Sequence, residues 1–424
     1  MSSSRRRILF VAENVTLAQV VRLATLAGSL DPSRYDVHFA CSSFPPVVFE
    51  STSFTRWPIH SLSPQAVDRA VQNGRRIYTK RVLRRYIDEE VALLDHLRPR
   101  LVVGDFRQSL TVSAPLAGVP YANLINAYWS PRAVRERFPL PDHPMVRLLG
   151  EEMAQRHFPK ATPWVFDYFA RPINELRQEN GLGALGSLPE VLTAGDFTLY
   201  PDVPSLVPID PLPAHHMYLG PVLWSPRVPW PRAWASTAGN GPKIYVTLGS
   251  SGRIDLLPTV IDGLRDLPLT VMLSTAGRAH TETMFNNFLT ADYLPGDRAA
   301  RESALVISNG GSTTGYQALA EGTPVIGIAS NLDQYLAMQA IERYGAGVTL
   351  RAGSLSIEQI RAAVALVLSD PGYCRRARQL AQELSGYDSK ARFAEFVGRA
   401  TSSAQDPAQG TAPQGPRQVL DAAL

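Results

Sequence analysis

The stretch ALVISNGGSTTGYQALAEGTPVIGIASNLDQYLAMQAIERYGAG, Ala304 to Gly347, decides how this chain reads. Ala304 to Ser308 is an apolar run stopped by Asn309-Gly310-Gly311, the pattern of a buried parallel strand ending in a turn. Ser312, Thr313 and Thr314 precede a helical run over Tyr316 to Glu321, so hydroxyl side chains fall where helix caps belong. Glycines let a ligand approach the backbone, and first-turn N–H groups with the helix dipole favour an anion, phosphate above all. Gly322-Thr323-Pro324 closes the helix and Val325 to Ile328 is a second strand. Asp333 and Gln334 follow its C-terminal end, where open α/β sheets bind ligands.

Upstream, Lys243 to Leu248 is a strand entering Gly249-Ser250-Ser251-Gly252, a loop that repeats this chemistry before a helix over Leu256 to Asp266. Leu269 to Ser274 is the next strand. Between Pro201 and Pro242 proline is dense, which marks an extended connection between domains. The chain opens with a strand over Ile8 to Ala12, a helix over Ala18 to Leu30 and a strand over Tyr35 to Cys41, a βαβ unit that implies a parallel sheet. Further strands are expected at Leu101 to Gly104, ending at Asp105, and at Val119 to Ile125. Residues 68–98 read as one or two helices carrying Arg75, Arg76, Lys80, Arg81, Arg84 and Arg85. With Asp88, Glu89, Glu90 and Asp95 alongside, this is taken as a solvated face rather than a surface for an anionic acceptor or for peripheral membrane contact. Trp129, Phe138, Trp164, Phe166, Tyr168 and Phe169, in a Pro-rich middle, suit an apolar acceptor pocket or core packing. Helices over Ile357 to Ser369 and Tyr373 to Leu384 complete the second half.

At 424 residues the chain exceeds one ordinary core and suits two domains. Lys plus Arg (42) against Asp plus Glu (38) leaves +4, too mild a surplus to demand nucleic acid. No apolar run reaches the length of about 18 residues that a transmembrane helix needs. Cys41 and Cys374 fall in different halves, which implies reduced thiols in a cytoplasmic protein, and neither has neighbours resembling a metal site.

Asn309-Gly310-Gly311, Thr314, Ala318-Leu319, Gly322-Thr323-Pro324 and Asp333-Gln334 stand without gaps in the order of a known signature. It resembles the donor-binding segment of nucleotide-sugar-dependent glycosyltransferases of GT-B architecture, in particular the UDP-glycosyltransferase and macrolide glycosyltransferase family (glycosyltransferase family 1), with Asn309 at the family's leading histidine. The resemblance implies an α/β fold of two Rossmann-like domains facing each other across a cleft. It sets an acceptor-binding domain at 1–212, a Pro-rich linker at 213–241, a nucleotide-sugar-binding domain at 242–385, a helix at 386–401 that returns to the first domain, and a disordered tail at 402–424.

The resemblance also implies site roles. Gly249, Ser250, Ser251, Asn309, Gly311, Ser312, Thr313 and Thr314 would hold the donor diphosphate, and Asp333 and Gln334 the donor sugar, as an acid and an amide suit sugar hydroxyls. Tyr293-Leu294-Pro295, fourteen positions before Asn309 counted from Pro295, resembles the segment against which the nucleobase lies. The family's catalytic histidine falls at Gln19, which has no titratable proton near neutral pH, while its partner aspartate is retained as Asp105. Asp105 is therefore the first candidate base and Glu13, just past the first strand, the second. The expected activity is inverting, metal-independent transfer from a UDP- or dTDP-linked sugar to a small, partly apolar acceptor, without a cofactor. A non-catalytic nucleotide-sugar-binding protein, motivated by Gln19, and a nucleotide-sugar 2-epimerase remain as alternatives.

Overall fold

A computed structural model describes residues 5–231, 234, 241–278 and 285–402. The first half carries seven strands, β1 (Arg6–Ala12), β2 (Tyr35–Cys41), β3 (Thr55–Pro58), β4 (Leu101–Asp105), β5 (Tyr121–Leu124), β6 (Phe197–Tyr200) and β7 (His216–Tyr218). They form one sheet in the order β3-β2-β1-β4-β5-β6-β7, every neighbour parallel. The second half adds β8 (Lys243–Thr247), β9 (Thr270–Ser274), β10 (Phe288–Ala291), β11 (Leu305–Ser308), β12 (Val325–Ala329) and β13 (Gly347–Arg351). These form a second parallel sheet, β10-β9-β8-β11-β12-β13. The fold is α/β with two parallel-sheet domains.

Both sheets reverse direction of winding once. In the first the reversal lies between β1 and β4, paired Phe10 to Val103, and in the second between β8 and β11, paired Val246 to Ile307. A doubly wound sheet opens its ligand crevice at such a point, beyond the carboxyl ends of the strands. Glu13 follows β1 and Asp105 ends β4, and the Gly249 and Asn309 loops follow the second pair.

The strands are apolar on both faces because helices cover both, and Ile8, Phe10, Val102, Val103, Ile244, Val271, Leu305 and Val306 are 0% exposed. The helix Leu17–Ala27 ends before Gly28, three residues short of the expected end at Leu30. Residues 68–98 divide into Pro64–Gln72 and Lys80–Leu97, broken near Gly74, whose φ of +60° suits glycine.

Two stretches depart from the sequence reading. The Pro-rich middle forms one helix, Glu151–Glu179, in spite of Pro159, Pro163 and Pro172. Ala170, Ile173 and Leu176 on its inner face join a cluster with Leu83 and Ile87 of Lys80–Leu97, and this packing overrides the helix-breaking tendency. The expected linker from 213 begins later, because His216–Tyr218 pairs with Thr198–Tyr200 as an edge strand. Of the expected linker, 232, 233 and 235–240 lie outside the described residues, as does the expected tail from 403 onward. The last helix, Ser389–Ser402, sets Phe393, Phe396 and Val397 into the core of the first domain beside Phe10 and Leu23.

Candidate active site

The donor-side loops meet at the reversal point of the second sheet. Gly249 (φ +60°) and Gly310 (φ +74°) turn the chain out of β8 and β11 in conformations that other residues rarely adopt. Asn309 joins the loops: its Nδ2 donates to Ser251 Oγ at 3.1 Å and its Oδ1 accepts from Gly311 N at 3.2 Å. The following helix starts at Ser312 rather than Tyr316, so Ser312, Thr313 and Thr314 form its first turn instead of preceding it. Helical geometry leaves their N–H groups without intrahelical acceptors. Arg278 reaches over from the loop after β9 and donates from Nη1 to Gly252 O at 2.7 Å and Gly249 O at 3.2 Å. Tyr293, 38% exposed, flanks the same loop, whereas the Leu294 side chain is buried in the core, which limits it to backbone contacts with a base.

The sugar-site pair separates. The helix Leu332–Tyr344 is capped by Asn331, whose Oδ1 accepts from Gln334 N at 3.1 Å. Gln334 Oε1 in turn accepts from Ser330 N at 2.9 Å and Ser330 Oγ at 3.0 Å, so its carbonyl is engaged in the helix start. Asp333, in the first turn, points to the other domain, where Trp129 Nε1 (2.7 Å) and Tyr128 OH (3.0 Å) both donate to its Oδ1. Burial raises its pKa.

On the acceptor side the three catalytic candidates fall into three different environments. Gln19 is the third residue of Leu17–Ala27, and its Oε1 accepts from Thr16 N at 3.1 Å as half of a capping box. Glu13 is fully buried, with Tyr86 OH donating to Oε1 at 3.0 Å and Arg107 Nη1 to Oε2 at 3.1 Å. Arg107 also binds Glu90 through Nε at 2.6 Å. Burial pushes Glu13 up to about 7, against the pull of Arg107.

Asp105 is the last residue of β4. It is 0% exposed and receives a bidentate ion pair from Arg22, Nε to Oδ2 at 2.9 Å and Nη2 to Oδ1 at 2.7 Å. Burial raises its pKa to about 6, Arg22 opposes the rise and Asp333 adds to it through its field. Asp105 therefore remains mostly ionised at neutral pH while binding a proton more readily than an exposed carboxylate. Arg22 Nη1 donates to Asn126 Oδ1 at 2.6 Å, and Ser312 Oγ of the donor-side helix donates to the same oxygen at 3.3 Å. Asn126 Nδ2 and Ala127 N bind Asp202, whose Oδ1 accepts Tyr316 OH at 2.8 Å. Ser250 Oγ accepts from Leu17 N at 3.3 Å. One polar cluster thus spans both domains.

Residues 259–397 match the family model described as erythromycin biosynthesis protein CIII-like, C-terminal domain. Over 379 residues the chain is 50% identical to the PGL/p-HBAD biosynthesis glycosyltransferase of Mycobacterium tuberculosis, covering 89% of this chain and 88% of the relative. The chain belongs to this glycosyltransferase family. It is also 48% identical over 382 residues to the PGL/p-HBAD biosynthesis rhamnosyltransferase of Mycobacterium bovis, covering 90% of this chain and 85% of that one. Among solved structures, spinosyn forosaminyltransferase SpnP has the same fold, with a TM-score of 0.67 at 17% identity over 94% of this chain and 100% of that one. Spinosyn rhamnosyltransferase SpnG complexed with thymidine diphosphate gives 0.65 at 18% over 93% and 100%. The architecture of this glycosyltransferase is GT-B.

Several residues of the polar cluster between the domains escaped the sequence reading. Arg22 carried a signal, a lone arginine within the apolar run Val20-Val21-Arg22-Leu23-Ala24, where a charge requires a buried partner. Asn126, Asp202 and Arg278 carried none, nor did the bond from Trp129 to Asp333, because these contacts join segments far apart in the chain.

Proposed function

We propose that this glycosyltransferase moves a sugar from a UDP- or dTDP-linked donor to a small, partly apolar acceptor of the kind served in PGL/p-HBAD biosynthesis, with inversion and without a metal or other cofactor. The observation that carries the reading is the cluster in which Arg22 ties Asp105, on the acceptor side, to the Ser312 helix start of the donor side through Asn126. The acceptor hydroxyl attacks C1 of the sugar from the face opposite the diphosphate. The new C1–O bond forms, the C1–O bond to the diphosphate breaks, and the hydroxyl proton passes to Asp105. Arg22 is a positioning residue that keeps Asp105 ionised and oriented.

The departing diphosphate gains charge, and preorganised donors aimed at that charge lower the barrier. The first-turn amides and hydroxyls of Ser312, Thr313 and Thr314, with Ser250 and Ser251 opposite, supply them. Asn309 donates a hydrogen bond where the wider family has an ionisable histidine, and Arg278, always charged, provides the cation beside the same loop. The complex of SpnG with thymidine diphosphate and the rhamnosyltransferase relative support a dTDP-linked deoxysugar among the donors to be tried first.

The test compares Asp105→Asn with the native protein in transfer and in donor binding by calorimetry. Transfer reduced about 100- to 10,000-fold, the usual worth of a general base, with donor affinity unchanged, supports the assignment. Undiminished transfer rejects Asp105 as the base, and loss of donor affinity alone moves it to the donor site.

A further inference from the structure

The helix Glu151–Glu179 buries one face through Ala154, Phe166, Ala170, Ile173 and Leu176. At 3.6 residues per turn, Met153, Lys160, Trp164 and Arg171 fall in one line on the opposite face. Such a face carries mainly polar and charged groups. Here Trp164 is 80% exposed and Met153 48%, with the exposed cations Lys160 and Arg171 between and beyond them. Tyr168, 42% exposed, lies beside the line with the Arg76 guanidinium 3.8 Å above its ring. Arg76 Nε also donates to Tyr168 O at 2.8 Å, which fixes that stack.

The pattern continues at both ends. On one side the short helix Pro144–Leu149, packed against the long one, leaves Leu148 79% exposed. On the other, Lys80, Arg81, Arg84 and Arg85 line an open cleft with Asp88. Part of this charge is compensated, Lys80 by Glu175 and Glu179, Arg84 by Glu179 and Arg85 by Glu89, and Asp167 is exposed near the line. The remaining pattern is large apolar side chains interleaved with cations along one exposed helix. That arrangement suits a surface with negative charge above hydrocarbon, where aromatic rings settle at headgroup depth and long cationic side chains reach phosphate.

We propose that this face of the acceptor-side domain docks on an anionic phospholipid bilayer. Among the described residues no helix is long and apolar enough to cross a membrane, so the contact is peripheral. The basic residues of 68–98, read from sequence as a solvated face, belong to this surface once Trp164 and Tyr168 are placed beside them. A docked acceptor-side domain would collect apolar acceptors from the lipid phase without full transfer through water. The docking is independent of the transfer chemistry and is tested without it.

The full chain is sedimented with vesicles of equimolar phosphatidylglycerol and phosphatidylcholine, and with phosphatidylcholine alone, while tryptophan emission is followed. The expected result is binding to the anionic vesicles, weakened by high salt, with a blue shift that Trp164→Ser removes. Lys160→Glu combined with Arg171→Glu weakens partitioning at least about tenfold, since each basic residue near an anionic surface contributes measurably. Circular dichroism and melting confirm that these surface variants fold. Equal binding to both vesicle types, or variants that bind as the native protein does, would overturn the proposal. So would a lipid-free dimer that Trp164→Ser dissociates, because the face would then belong to a second copy of this chain.

Discussion

At the scale of single residues, the pairing of Arg22 with Asp105 changes what Asp105 can do. An aspartate aligned on a histidine would orient it, whereas this one is held by a guanidinium that cannot accept a proton at any working pH. The carboxylate, lifted to about 6, is then the group that titrates, and it must be ionised to act as a base. The rate kcat/KM should therefore fall as pH drops through about 6, and the Arg22→Lys variant, which loses the bidentate geometry, should move that limb upward. A pH profile flat from 5 to about 8 would contradict the assignment. Asn309 makes a second prediction. Its replacement by alanine removes the bond to Ser251, and nucleoside-diphosphate affinity measured by calorimetry should drop about 2- to 12-fold, the worth of one ordinary hydrogen bond.

At the scale of elements, strands and glycine turns of the second domain were legible because apolar runs end abruptly in Asn-Gly-Gly or Gly-Ser-Ser, and the crevice of the second sheet follows from where those turns fall. The long helix Glu151–Glu179 was not, since three prolines argue locally against it and only packing against Lys80–Leu97 argues for it. Nor was β7, a three-residue strand with Pro211, Pro213 and Pro221 close on either side. The turn after β4 hides a further feature: Phe106 has φ +56°, an uncommon conformation that sends Asp105 into one buried ion network and Arg107 into another. In the second network, Arg107→Met leaves Glu13 and Glu90 buried without their cation and should cost about 3–5 kcal/mol in denaturant unfolding. Glu13 binds its proton more tightly folded than unfolded, its pKa raised from 4.5 to about 7. Its contribution is thus fully present below pH 4.5 and lost as pH rises through about 7. Glu13→Gln has no such loss, so its melting temperature relative to the native protein should rise across that window.

At the scale of the whole molecule, two domains are joined by a cleft whose walls already touch and by a terminal helix that crosses back. Phe393 from that helix is 0% exposed in the first domain's core, and Phe393→Ala should cost about 3–5 kcal/mol, read as a loss of melting temperature. A nucleoside diphosphate that binds only the folded state should raise the melting temperature, by the equivalent of about 2.7 kcal/mol at a hundredfold excess over its dissociation constant. Among UDP, dTDP and their sugars, the ligand with the largest shift identifies the donor. The contact between Asp333 and the Trp129-Tyr128 pair bears on how such enzymes can be recombined. If Asp333 reads the sugar, its orientation is set by residues that a transplanted donor domain does not bring with it. A chimaera carrying 243–385 from a relative with another sugar would inherit that relative's aspartate against foreign aromatics. Sugar preference would then pass intact only when the 127–129 segment travels with the domain.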